Sequence, residues 1–332
     1  MTFKDIALFT TTRRRFLGMA GISSAIAFIP AACTSMRPTA PDDFVPIGGI
    51  EQWVAIRGRD RSRPAILFLH GGPCDAQSPH LSLFAPWEER YVVAQWDQRG
   101  AGKTFEKNGS STPDMTFERV VKDAVEVSQY VSGQLGRRKL ILVGHSWGAI
   151  VALHVVRRRP ELFHALVGTG QPVIGKDIVE RMRASAIARA EAAGNGEAAA
   201  ELRDLSALDL VSDTSKFVGL LIKWTEPFIE SDQRYITTPS AFPNDFCSNK
   251  LDPALLTIDA RSAGYHLQIP FFVIQGRDDN RTPSDAARAF VDQVRAPMKG
   301  YTAIDGGHFA CLTNPAGFLD ALEDDMRRLR IS

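Results

Sequence analysis

From about Gln52 onward, short runs of consecutive apolar residues alternate with segments whose apolar positions recur at helical spacing. A strand covered on both faces needs no polar alternation, so this pattern predicts a mostly parallel sheet with helices on its faces. Ala65 to Leu69 reads as a buried strand that ends at His70-Gly71-Gly72-Pro73. Tyr91 to Trp96 is a second, Leu140 to Val143 a third, and Leu166 to Gly168 closes a fourth. Strands resume at Pro270 to Gln275 and at Gly300 to Ile304. Thr116 is placed to cap a helix in which Phe117, Val120, Val121, Ala124 and Val131 recur at helical spacing. A helix after Gly144 runs to about Arg159, where Pro160 stops it, and two more follow Pro283 and Pro315.

Residues 171–267 break this rhythm. Ala-, Arg- and Glu-rich helical stretches, interrupted at Gly194-Asn195-Gly196, take the place of strands. A segment of this length inside one sheet is too long for a plain loop. It is expected to be a helical lid inserted into an α/β core made of residues 47–170 and 268–332.

Residues 1–33 read as an address. Thr12-Arg13-Arg14-Arg15-Phe16-Leu17 precedes a modest apolar run from Gly18 to Ile29 that breaks at Pro30. The run is shorter than the roughly 20 residues a membrane-spanning helix needs. Paired arginines before Phe-Leu resemble a twin-arginine export signal, and an ordinary secretory signal would imply export as well. Ala31-Ala32-Cys33 resembles the end of a lipobox, although Pro30 stands where that pattern prefers Leu. Lipidation of Cys33, which would tether the protein to a membrane, and plain cleavage nearby both stay open. Either way the expected location is the bacterial periplasm or cell envelope. Residues 34–46, with Pro38, Pro41 and Pro46, are expected to be a linker.

Composition narrows the class only a little. Hydrophobic residues are 44% and charged residues 23% of the 332, as in an ordinary globular protein. A net charge of +1 gives no electrostatic case for a nucleic-acid partner. Past the signal, Cys74, Cys247 and Cys311 fit no metal-site spacing and allow one bridge at most. Each is expected to be a small buried apolar residue.

The chemistry gathers at the ends of strands. Gly144-His145-Ser146-Trp147-Gly148 matches G-x-S-x-G, follows a predicted strand and opens a predicted helix, where a nucleophile elbow must sit. A serine hydroxyl needs an adjacent base, and in this topology the acid and then the histidine follow on later loops. Gly306-Gly307-His308 comes right after the last strand, which makes His308 the candidate base. Asp278 and Asp279 both follow the strand before it. Asp279 is chosen because Thr282 and Pro283 look like the N-cap and first residue of the next helix, with Asp305 an outside candidate. Oxyanion donors are expected from the backbone N–H groups of Trp147, after the nucleophile, and of Gly72, after the first buried strand. His70 is expected to be structural.

These motifs, together with Asp97-Gln98-Arg99-Gly100-Ala101-Gly102, occur in an order and spacing that resembles the prolyl iminopeptidases. The resemblance covers about residues 50–170 and 268–330. It implies an α/β-hydrolase fold and cleavage of an N-terminal proline from a small or short-peptide substrate, and the sequence carries no dinucleotide fingerprint, phosphate loop or His-rich cluster that would call for a metal or organic cofactor. It also implies that Asp97 and Arg99 tie the early strands together beneath the site. In that family acidic lid residues hold the substrate's amino group near an aromatic stretch. Trp224, Glu226 and Glu230 are the nearest counterparts here, in a pattern that is not the same. Two other readings stay open, a carboxylesterase or amidase of different acyl specificity and a binding protein on a hydrolase scaffold. The sequence does not indicate an oligomeric state.

Overall fold

The structure is a computed structural model in which residues 42–173, 176–204, 232, 250 and 258–331 are described. All of them fall in the unit that spans Arg37–Ser332. Eight strands form one sheet: β1 (Asp43–Ile47), β2 (Ile50–Arg57), β3 (Ala65–Leu69), β4 (Val92–Trp96), β5 (Leu140–His145), β6 (Phe163–Thr169), β7 (Phe271–Gly276) and β8 (Lys299–Ile304). Their order is β1-β2-β4-β3-β5-β6-β7-β8. β1 and β2 are antiparallel to their neighbours and the rest run parallel.

Five of the six parallel strands, β3 to β7, are apolar runs buried at nearly every position, while β8 at the sheet edge buries only Ile304. β3 and β4 are buried at every position, with successive side chains entering opposite cores. Leu67, Leu69 and Ala94 join a core with α3 (Phe117–Leu135), α4 (Trp147–Arg158) and α7 (Ser284–Gln293). Ile66, Phe68 and Val93 join the other, against α1 (Ala85–Glu88), α8 (Ala310–Thr313) and α9 (Pro315–Arg328). There Phe68 meets Phe84 and Trp87 edge-on at 4.9 and 5.7 Å, and Trp87 stacks on Phe318 at 4.8 Å. Aromatic pairs of this kind add about 0.5–1.5 kcal/mol beyond the area they bury. Helix α3 begins as expected, with Thr116 accepting a hydrogen bond from the Arg119 N–H.

The hairpin β1–β2 departs from expectation. Asp43 to Pro46 belong to a strand, not to the linker expected over residues 34–46. β1 is an edge strand covered on one face, so only Val45 and Ile47 are buried and no apolar run marks it.

Chain direction across the sheet reverses beside β3. β4 lies on one side of it and β5 on the other. Loops leaving the carboxyl ends of β3 and β5 therefore diverge there, and crevices for ligands form at such switch points. Between β6 and β7 the insertion contributes α5 (Lys176–Ala192) and α6 (Gly196–Arg203), and a 3₁₀ turn at Ala260–Ala263 packs into the core beside α4. Arg181 of α5 reaches Asp285 of α7 at 2.8 Å, an exposed pair that contributes little to stability. Trp224, Glu226 and Glu230 lie outside the described residues, as do Cys33 and Cys247.

Candidate active site

Ser146 sits at the turn between β5 and α4 with φ 52° and ψ −122°, outside the regions comfortable for a residue with a Cβ. Two features hold it there. Its N–H donates to the Thr169 carbonyl at 2.9 Å, which fixes the turn to the end of β6. A Cβ on Gly148 would meet the Leu69 carbonyl and lie 2.6 Å from that of His70, so glycine lets α4 start hard against β3. Ser146 remains partly exposed in a buried surround. Trp147 is the first residue of α4, where N–H groups have no carbonyl within the helix to accept them.

The loop after β3 closes on the same spot. A Cβ on Gly71 would lie 3.1 Å from the Ser146 Cβ, and Gly72 takes φ +114°. His70 anchors the start of this loop. The Gln98 N–H donates to its Nε2 at 3.0 Å, and Nδ1 donates to the Gly71 carbonyl at 2.8 Å. Burial holds its pKa down to about 4, so the ring is neutral. Gln98 also donates to the His70 carbonyl and accepts from the Trp147 indole, at 3.0 and 3.2 Å. The Asp97 carboxylate takes N–H groups from Gln77, Ser78 and Lys103 at 2.7–3.0 Å. Arg99, fully buried, bonds Asp123, the Pro113 carbonyl and the Gly48 carbonyl, each at 2.8 Å. The Asp97–Gly102 segment thus ties β1, α3 and the loop after β3 together.

His308 and Asp279 meet across the ends of β8 and β7. Nδ1 of His308 lies 3.1 Å from Oδ1 and 3.0 Å from Oδ2 of Asp279. With Nδ1–H donating to the carboxylate, Nε2 is left as an acceptor, the tautomer a general base requires. Asp279 is buried, which alone would raise its pKa. The His308 ring and hydrogen bonds from Thr282 outweigh burial and hold it below the ordinary carboxylate value. Further donors converge on it: the Arg281 and Thr282 N–H groups on Oδ1, both at 2.9 Å, and the Thr282 hydroxyl and Gln275 amide on Oδ2, at 2.6 and 2.8 Å. Thr282 is therefore a partner of Asp279 and not a helix cap. α7 starts at Ser284 with Pro283 before it and no side-chain cap. Asp305 pairs instead with Arg277 at the surface.

Ser146 and His308 share a neighbour. His145 donates from Nε2 to the His308 carbonyl at 2.9 Å, and the two rings lie 4.9 Å apart. Burial, with His308 adding to it, pushes the His145 pKa down to about 3, so this donor is neutral. Asp232, from the insertion, accepts the N–H groups of His308 and Phe309 at 2.9 and 3.1 Å. Sequence reasoning passed over both residues. His145 was the variable position of a motif, and no pattern marked Asp232. A polar Gln275 ending the apolar run of β7 was a signal that could have been read.

Cys74, next to this loop, is disulfide-bonded, which corrects the expectation of an unpaired buried residue. Its partner lies outside the described residues. Cys311 is free and buried as expected, with burial raising its thiol. Among the described residues no three His, Cys, Asp or Glu side chains cluster as a metal site would require.

The family model described as alpha/beta hydrolase fold matches residues 64–315. The chain belongs to that family. Among curated proteins, a probable aminopeptidase of Bacillus subtilis, YbaC, is 26% identical over 314 residues, covering 85% of this chain and 94% of that protein. A probable proline iminopeptidase of Streptomyces coelicolor is 31% identical over 114 residues, about a third of each chain. Among solved structures, a proline iminopeptidase-related protein of Thermus thermophilus superposes with a TM-score of 0.62 at 21% identity. That match covers 87% of this chain and 97% of the other, a likeness of fold. The family model places the chain among the α/β hydrolases.

Proposed function

We propose that the chain is a serine hydrolase that works through an acyl-enzyme, with Ser146 as nucleophile, His308 as base and Asp279 as the group that orients and stabilises it. One observation carries this reading most. Asp279 and His308 are in contact at two adjacent strand ends, with the His308 carbonyl held by the residue next to the strained Ser146. In the first half of the cycle Ser146 Oγ bonds to the substrate carbonyl carbon while His308 Nε2 takes its proton. The Gly72 and Trp147 N–H groups would receive the negative charge that develops on the carbonyl oxygen. As the bond to the leaving amine or alcohol breaks, His308 returns the proton to it. Water then repeats the sequence on the acyl-enzyme and frees Ser146.

The substrate reading is an aminopeptidase that releases N-terminal residues, proline first. The aminopeptidase and proline iminopeptidase relatives support it, and Glu226 and Glu230 are the sequence's candidates for holding the amino group. The insertion between β6 and β7 is assigned the part of a lid, and the N-terminal residues the part of an export signal. Hydrolysis of a proline anilide beside a short-chain nitrophenyl ester by the mature protein tests the substrate assignment. Preference for the anilide, lost in Ser146→Ala, supports the aminopeptidase. Ester turnover without anilide turnover places the enzyme among esterases.

A further inference from the structure

His308 is held at three places, its ring, its carbonyl and its N–H, and the groups at the first two belong to the proposed triad or its motif. Asp279 takes the ring at Nδ1, and His145 takes the carbonyl. The third, Asp232, comes from the insertion. Its two oxygens accept two consecutive backbone N–H groups, Oδ2 that of His308 and Oδ1 that of Phe309. Its exposure is 0%, so both hydrogen bonds are made out of water, where a missing acceptor is not replaced. Charged acceptors also make the stronger bonds. With the carbonyl and the N–H both gripped, the backbone at His308 can neither rotate nor slide along the β8 edge. Nε2 is the one polar atom of His308 left for chemistry.

We propose that Asp232 is a positioning residue for the base: it acts through the His308 and Phe309 amides, and turnover needs both of its oxygens. The inference rests on the serine-hydrolase reading above. Burial, with Asp279 adding to it, holds the Asp232 carboxyl above its ordinary value, although the two N–H groups and His308 act to lower it. The ionised form offers a strong acceptor to each amide, whereas a protonated oxygen accepts more weakly. Asp279, Arg281 and Cys311 also lie within electrostatic reach of this carboxylate. None of them is within hydrogen-bond reach of the two amides in place of Asp232 among the described contacts.

Asp232→Asn separates the possibilities. An Asn keeps the shape and one acceptor, but its NH₂ must confront one of the two N–H groups. The full-length protein and the variant are titrated with a fluorophosphonate to count reactive Ser146. Hydrolysis of a neutral nitrophenyl ester and of a proline anilide is then measured per titrated site. Displacement of a catalytic group by a fraction of an ångström to an ångström costs roughly 10- to 100-fold. The expected result is a kcat per titrated site about tenfold lower on both substrates, with KM unchanged. Asp232→Ala should lose more, and if it fails to fold the Asn variant carries the test alone. An unchanged kcat per site, with only the titratable fraction or Tm reduced, overturns the inference in favour of a structural role. A rise in KM for the anilide alone, with ester turnover intact, overturns it in favour of substrate binding. Absence of Ser146 labelling in the wild type overturns the serine-hydrolase reading itself, and this inference with it.

Discussion

Asp279→Asn is the substitution whose cost the geometry lets one work out. The carboxylate is buried and its oxygens lie 3.0 and 3.1 Å from His308 Nδ1. In the proposed mechanism its charge matters most when the ring becomes an imidazolium, as Ser146 loses its proton. Unit charges centred about 4 Å apart attract by about 4 kcal/mol at an effective dielectric constant of about 20. At about 1.4 kcal/mol per factor of ten, losing that attraction slows turnover about a thousandfold. An Asn also cannot satisfy the donors converging on this group. With its NH₂ on the Oδ1 side it confronts the Arg281 and Thr282 N–H groups, and on the Oδ2 side the Gln275 amide. Gln275 cannot flip to help, since its Oε1 already accepts the Gln171 N–H at 3.0 Å. The assay is kcat for an activated ester, normalised to folded protein by circular dichroism and by thermal midpoint. A loss of less than tenfold in a well-folded variant would refute the reasoning, because the contact would then carry no charge stabilisation.

Two further predictions concern the frame around the site. Asp123→Ala leaves the Arg99 guanidinium buried without its carboxylate, and breaking such a pair costs about 3–5 kcal/mol. Tm should fall on the order of 10 °C with activity per folded molecule retained, and a drop of under two degrees would contradict the account. His145→Gln keeps a donor for the His308 carbonyl but removes a titrating group. His145 is held at about 3 when folded against 6.5 in the free side chain. In that window the unfolded state binds a proton that the folded state does not, so stability is full above pH 6.5 and falls as the pH drops. The loss of stability amounts to at most about 1.4 kcal/mol per pH unit. Urea unfolding at several pH values should show a shallower slope for the variant by about one proton, and an unchanged slope would refute the burial argument.

The parts of the molecule readable from sequence are those fixed by local chemistry. Strands β3 to β8 announce themselves because burial on both faces leaves them apolar throughout or nearly so, with β8 the more exposed exception at the sheet edge. The turn at Ser146 and the meeting of Asp279 with His308 are legible because each residue lies just past the end of a strand. β1 was hidden by its place at an edge and by Pro46 within it. Thr282 misled, since a Thr-Pro pair before a helix suggests a cap, whereas its hydroxyl and N–H both serve Asp279. Asp232 was illegible for a different reason. Its partners are main-chain amides 76 and 77 positions away, and an acceptor of backbone N–H groups needs no matching residue type.

The most direct test of the central claim is covalent labelling of the mature protein with a fluorophosphonate, mapped by peptide mass spectrometry. The account predicts one modified residue, Ser146, labelled in the wild type and not in Ser146→Ala, with hydrolytic activity lost in step with labelling. Activity that survives full labelling, or that persists in Ser146→Ala, would contradict the assignment of Ser146 as nucleophile.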